Sequence, residues 1–106
     1  MSYRIMRLII FFDLPMVESK DLAQYRIFRR FLIKNGFIMM QQSVYSRLIL
    51  NNSSSNLLKR HISNNLPKSG LVQMLEITEK QFAGIEYLVG KKKSNIIDSD
   101  KRIIEL

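Results

Sequence analysis

Hydrophobic spacing divides the chain into alternating strand-like and helix-like segments. Ile5 to Phe12 is an almost unbroken apolar run, closed by Asp13-Leu14-Pro15, and reads as a buried strand. Glu18 to Asn35 changes to helical spacing. On a helical wheel Tyr25, Phe28, Phe31 and Leu32 share one face, and Arg26 and Arg30 point nearly opposite. Lys34 in the last turn and Gly36 just beyond it mark the helix end. Phe37 to Met40 and Ser43 to Leu50 then read as two strands joined near Gln41-Gln42.

The run Asn51-Asn52-Ser53-Ser54-Ser55-Asn56 is composed of loop and N-cap formers, and Leu57 to Leu66 behind it reads as a second helix ended by Pro67 and Gly70. Leu71 to Ile77 is a further strand and Gln81 to Val89 another. Lys91 to Asn95 reads as a polar connection, and a short edge strand is expected over Arg102 to Leu106. No repeat or internal boundary interrupts residues 1–106, so one domain is expected. The order β-α-β-β-α-β predicts an α+β, ferredoxin-like split βαβ fold. Two helices cover one face of an antiparallel sheet, with extra strand material at the C-terminus.

One feature does not fit a lone two-layer molecule. Leu8, Ile10 and Phe12 occupy one side of the first strand, and Ile9 and Phe11 occupy the other. Helices cover only one face, so an apolar second face implies an interface, most simply a twofold homodimer.

Charge narrows the partner. The 106 residues carry 17 Lys+Arg against 9 Asp+Glu, a formal charge of +8. Such an excess suits an anion such as nucleic acid, although an acidic protein or a membrane surface has the same attraction. Arg26 and Arg30, one helical turn apart with Arg29 beside them, lack acids at i±4 and are candidate phosphate contacts. A solvated helix face is the bland alternative. Lys91 to Lys93 is equally well explained as a solvated loop.

Several chemistries drop out. The chain has no cysteine, which excludes disulfides, thiolate zinc sites and cysteine nucleophiles. The apolar segment from Leu8 to Phe12 is too short for a signal peptide, and nothing approaches the roughly 20 apolar residues of a membrane span. A cytoplasmic protein with no membrane partner is the expectation. His61, the single histidine, borders the apolar face of the second helix and has no metal-ligand partner in its pattern. Ser43 lacks a Gly-x-Ser-x-Gly elbow, and there is no glycine-rich phosphate loop.

Asp13 remains. It can be a turn residue whose carboxylate bonds nearby backbone N–H groups. It can also be an oxygen ligand for a hard cation such as Mg²⁺ or Mn²⁺. One carboxylate makes a poor site, and a twofold dimer supplies a second copy.

The segments FFDLP, YRIFRRFLIKNGF, MMQQSVYSRLIL and NNLPKSGLVQMLEITEKQFAGIEYLVG resemble CRISPR-associated protein two over nearly the whole chain. The forms FFDLP, YRIFRRFL and EKQFA are most similar to members from type II-A systems. The resemblance implies a ferredoxin-like homodimer that acts in spacer acquisition. Such a dimer bridges two dimers of the integrase, CRISPR-associated protein one, and presents a basic surface to captured duplex DNA. Other type II-A adaptation proteins are implied as further partners.

The resemblance also implies metal-dependent endonuclease activity on RNA or DNA, with the acidic residue at the first strand's end at Asp13. It places the family's serine at Ser43 and its aromatic at Tyr45. Where many members have tyrosine, this chain has Phe12, which removes a hydroxyl expected near the metal. Three functions are therefore open. They are a DNA-bridging acquisition subunit, a stand-alone Mg²⁺-dependent nuclease using paired Asp13, and a regulatory ferredoxin-like module that binds an acidic protein.

Overall fold

The structure is a computed structural model that describes residues 5–91. Strand β1 spans Met6–Asp13, helix α1 Ser19–Lys34, β2 Ile38–Gln41, β3 Val44–Ile49, α2 Asn52–Ser63, β4 Leu71–Thr78 and α3 Glu79–Ala83. The four strands form one sheet in the order β2-β3-β1-β4, and each neighbouring pair is antiparallel. This is the ferredoxin-like α+β arrangement expected from the pattern. The expected edge strand at Arg102 to Leu106 lies outside the described residues, as does most of the polar connection before it.

Alternation along β1 sorts its side chains between the two faces. Leu8, Ile10 and Phe12 enter the helix-side core with Phe28 and Leu32 of α1, Tyr45 and Ile49 of β3, and Leu58 and Ile62 of α2. The helical-wheel expectation for α1 is met: Phe28 and Leu32 are buried, whereas Arg26, Arg29 and Arg30 are exposed. Phe12 lies edge-on to Phe28 with centroids 5.2 Å apart and stacks on Tyr45 at 5.7 Å. Such pairs add to stability beyond their area alone.

The opposite face carries Arg7, Ile9, Phe11 and Asp13 of β1. By register Val44, Ser46 and Leu48 of β3 and Leu71, Leu75 and Ile77 of β4 lie beside them. Among the described residues neither α1 nor α2 covers that face: α3 meets it at the Arg7 end and Ile9 is buried, but Leu71 and Leu75 are 54% and 49% exposed. The two-sided apolar sheet expected from the sequence is present.

Helix α1 starts where the Glu18 and Val17 N–H groups donate to the Asp21 carboxylate, at 3.0 and 3.2 Å. It ends in a Schellman arrangement. Gly36 takes φ +87°, its N–H donates to the Ile33 carbonyl, and the Phe37 N–H donates to the Leu32 carbonyl.

Two expected elements differ. Helix α2 begins at Asn52, not Leu57. The Asn51 side chain caps it by accepting the Ser54 N–H at 2.8 Å, and Ser55 is buried with its hydroxyl donating to Glu76 at 3.2 Å. The polar run is therefore the first turns of the helix, with local capping offsetting weak propensity. At the other end Asn64 is the C-cap, so the helix stops before Leu66.

The strand expected over Gln81 to Val89 is instead α3 followed by irregular chain. Thr78 and Gln81 form a reciprocal capping box. The Thr78 hydroxyl accepts the Gln81 N–H at 3.0 Å, and the Gln81 side chain accepts the Thr78 N–H at 2.9 Å. Thr-x-x-Gln is a helix-start signature that outweighs the apolar residues behind it.

Tyr45 is fully buried and, among the described residues, its hydroxyl has no hydrogen-bond partner. Burial pushes its ionisation above the ordinary tyrosine value of 10.0; the Arg29 guanidinium partly opposes that rise by its charge and as a donor that approaches the hydroxyl without meeting hydrogen-bond geometry. A raised folded-state value means that the unfolded chain loses its proton first. Stability is therefore complete below pH 10.0 and falls as pH rises through the folded-state value. Tyr45→Phe removes an unpaired hydroxyl at constant shape. Urea melts at neutral pH should show a gain of about 1 kcal/mol. The same variant should show a shallower alkaline loss. Clear destabilisation at neutral pH would mean that the hydroxyl is bonded.

Candidate nucleic-acid and metal site

Asp13 ends β1 with its side chain exposed, on the same sheet face as Ile9 and Phe11. Among the described residues no group hydrogen-bonds or ion-pairs with its carboxylate, and no backbone N–H turns toward it. The turn-cap reading of Asp13 therefore has no bond to support it.

The strand end is held instead by backbone packing. Asp13 pairs with Leu71, and Gly70 just before it takes φ +98°. A Cβ there would stand 2.8 Å from the Asp13 carbonyl oxygen and 2.9 Å from Leu14 Cδ2. Only glycine allows β4 to approach this closely. The sequence offers Gly70 merely as a helix stop; its contact with Asp13 depends on a pairing between distant segments.

The β2–β3 turn closes the other side. The Phe12 N–H donates to the Ser43 carbonyl at 3.0 Å, so Ser43 lies beside the end of β1. The Tyr25 hydroxyl donates to the Gln42 carbonyl at 3.2 Å and ties α1 to the same turn. Asp13 and Ser43, paired by the family resemblance, thus meet at one end of the sheet. Phe12 differs from expectation. Its ring belongs to the helix-side aromatic cluster, whereas Asp13 belongs to the open face, so a hydroxyl on ring 12 would start from the opposite side of the sheet.

Arg26 and Arg30 are exposed on α1, beyond the helix layer, and the sheet separates them from the Asp13 face. A single protomer does not bring the candidate metal ligand and the candidate phosphate contacts together. His61 packs against Phe31 with centroids 5.0 Å apart.

At the end of the sheet remote from Asp13, Arg7 grips α3. Its Nε and Nη2 donate to the Glu79 carboxylate at 2.9 and 2.6 Å, and the Phe82 ring lies 4.2 Å beneath the guanidinium. The signal for it in the sequence is a lone charge in an apolar strand, at the alternation position of Ile9 and Phe11.

The donor set suits a hard cation only in part. Among the described residues no cluster of three or more His, Cys, Asp or Glu side chains is positioned to hold a metal. Mg²⁺ needs oxygen ligands, but it retains several waters and is commonly held by one or two carboxylates plus substrate phosphates. An unengaged carboxylate on an apolar, uncovered face fits half of such a site. A twofold copy would complete it. No helix among the described residues is long and apolar enough to cross a membrane.

Comparison with known proteins gives the family. The family model described as CRISPR associated protein Cas2 matches residues 6–85. A protein from Treponema denticola named CRISPR-associated endoribonuclease Cas2 is 44% identical over 101 residues, covering 95% of this chain and 100% of its own. Relatives of the same name from Streptococcus mutans serotype c and Ligilactobacillus salivarius are each 45% identical over 101 residues. They cover 95% of this chain and 93% and 100% of their own lengths. With the family's model spanning β1 through α3 and relatives matching nearly end to end, the chain belongs to the CRISPR-associated protein Cas2 family.

Proposed function

We propose that this chain works as a twofold homodimer in CRISPR spacer acquisition, with paired Asp13 carboxylates forming a metal-dependent phosphodiesterase site. The observation that carries the reading is the placement of Asp13. Among the described residues it is an unengaged carboxylate at the end of a central strand, on a sheet face that α1 and α2 leave uncovered. Pairing two such faces about an axis would cover Phe11, Leu71 and Leu75 and place two carboxylates in one compartment. The relatives' name, endoribonuclease, supports RNA as a substrate.

In this reading the Asp13 carboxylates of the two protomers would hold a divalent cation, Mg²⁺ or Mn²⁺. The bound ion would supply a Lewis acid that offsets charge developing on the phosphate and makes water a stronger nucleophile. Gly70 and the Ser43 carbonyl fix the strand end, so the carboxylate is positioned before substrate arrives. The test is RNA cleavage by the purified full chain with Mg²⁺ and again after chelation. A purified dimer that cuts equally well in chelator sinks the metal site.

The charge of +8 and the exposed Arg26 and Arg30 favour a second role on a separate surface. There the dimer bridges dimers of the integrase, CRISPR-associated protein one, and binds captured double-stranded DNA through α1. Arg26→Glu with Arg30→Glu should weaken duplex binding. It should also lower the slope of log K against log salt by about one for each phosphate that is no longer neutralised. An unchanged slope would move the duplex to another surface. Because the sheet separates α1 from Asp13, these variants should leave RNA cleavage by the dimer intact.

A further inference from the structure

We propose that the open cleft between α2, Arg47 of β3 and the α1 C-cap Asn35 is a binding site for a phosphate group carried by a nucleotide, distinct from both surfaces above. The cleft holds about 500 Å³ and is lined by Asn35, Arg47, Ser54, Arg60, His61 and Asn64, with Leu57 and Leu58 as its apolar wall. That volume lies within the range of small-molecule sites.

Its charge is one-sided. The lining contains two arginines and a histidine and no carboxylate. Arg47 rises from the middle of β3 on the helix side, where its strand neighbours Tyr45 and Ile49 are core residues. It is half-buried, and among the described residues its one hydrogen bond is from Nη1 to the Asn35 carbonyl at 2.9 Å. Neither Arg47, Arg60 nor His61 makes an ion pair among the described residues. The acid that β4 presents to α2, Glu76, is engaged by Lys59 at 2.6 Å and by Ser55.

A partly desolvated guanidinium with no counter-charge is costly, and an anion entering the cleft would offset that cost. Arginine's planar fork suits the oxygens of a phosphate, and a cation-lined concavity concentrates anions. The Asn35 carbonyl already restrains Arg47, so less side-chain freedom is lost on binding. Asn35, Ser54 and Asn64 add neutral hydrogen-bonding groups, and Leu57 and Leu58 offer an apolar surface for a sugar or base. The Phe31 ring holds the His61 imidazole at the rim.

Because His61 is the chain's single histidine, its imidazole C–H resonances form a unique reporter at the rim of the cleft. The full-length protein is titrated at fixed pH and ionic strength with inorganic phosphate, AMP, adenosine, and a short RNA with either a 5′-phosphate or a 5′-hydroxyl. Saturable His61 shifts with AMP and phosphate but not with adenosine are expected when the source is a free nucleotide. Shifts with the 5′-phosphorylated RNA alone assign the site to a nucleic-acid end.

Arg60→Ala, an exposed position whose truncation leaves the core intact, should weaken binding at least tenfold. Arg47→Gln should do the same, and Asp13→Asn should not change it. The absence of any saturable shift from the phosphate-bearing probes overturns the proposal. So does wild-type affinity in Arg60→Ala and Arg47→Gln.

Discussion

Asp13→Asn is expected to lower Mg²⁺-dependent RNA cleavage by at least about 100-fold, since even the outer partners of metal ligands are worth 10- to 100-fold. The substitution keeps the shape and one oxygen, but it removes the charge that would hold a divalent cation. It should do little else. The side chain is exposed, and the pairing of residue 13 with Leu71 runs through the backbone. Folding stability should therefore change by no more than about 0.5 kcal/mol, as for surface sites generally. If the proposed dimer forms, sedimentation should show it kept or tightened, because two facing charges would be removed. Activity within a few-fold of wild type would remove Asp13 from the chemistry. A monomer would show that residue 13 acts through assembly instead.

Phe28→Ala is expected to cost about 3–5 kcal/mol of folding stability, the range for emptying a buried aromatic position. Phe28 is 1% exposed, meets the Phe12 ring edge-on at 5.2 Å and stacks on Phe31 at 6.3 Å. Its neighbours come from strand, helix and hairpin together, so the cavity cannot close by moving one element. Guanidinium melts should show a lower midpoint at an unchanged m-value. A loss below about 1.5 kcal/mol would mean that the aromatic cluster collapses into the gap. The two substitutions separate chemistry from architecture. One removes turnover in a stable protein, and the other leaves the carboxylate in a weakened one.

Much of this architecture was legible in the order of apolar segments. β1, α1 and the hairpin fall within a residue or so of their expected limits because their periodicity is strong and the caps agree with it. The departures have local causes. The Asn/Ser run looked like a loop because serine and asparagine are poor helix residues on average. One cap at Asn51 and one buried bond from Ser55 reverse that average. Over Gln81 to Val89 hydrophobicity outvoted the Thr-x-x-Gln box, although the box decides the backbone at that point.

The site was only half legible. Asp13 stood out as a charge closing an apolar run, and the second apolar face was visible in Ile9 and Phe11. The meaning of Gly70 and Arg47 was not visible. Each acquires its role from a neighbour far away in sequence: the Asp13 carbonyl in one case, the carbonyl of Asn35 across the α1–β2 corner in the other.

The close approach of Gly70 to Asp13 also sets an order of events for a growing chain. The two residues come together only when β4 closes on β1, a pairing between segments widely separated in sequence, which is expected to form late because loop-closure entropy opposes it. A nascent chain that has made β1, α1 and the hairpin can already hold much of its helix-side core. Its carboxylate nevertheless ends an unpaired strand edge. A ribosome-bound or truncated polypeptide lacking β4 would then be folded in part yet inert. Nuclease competence would arrive as the last act of folding.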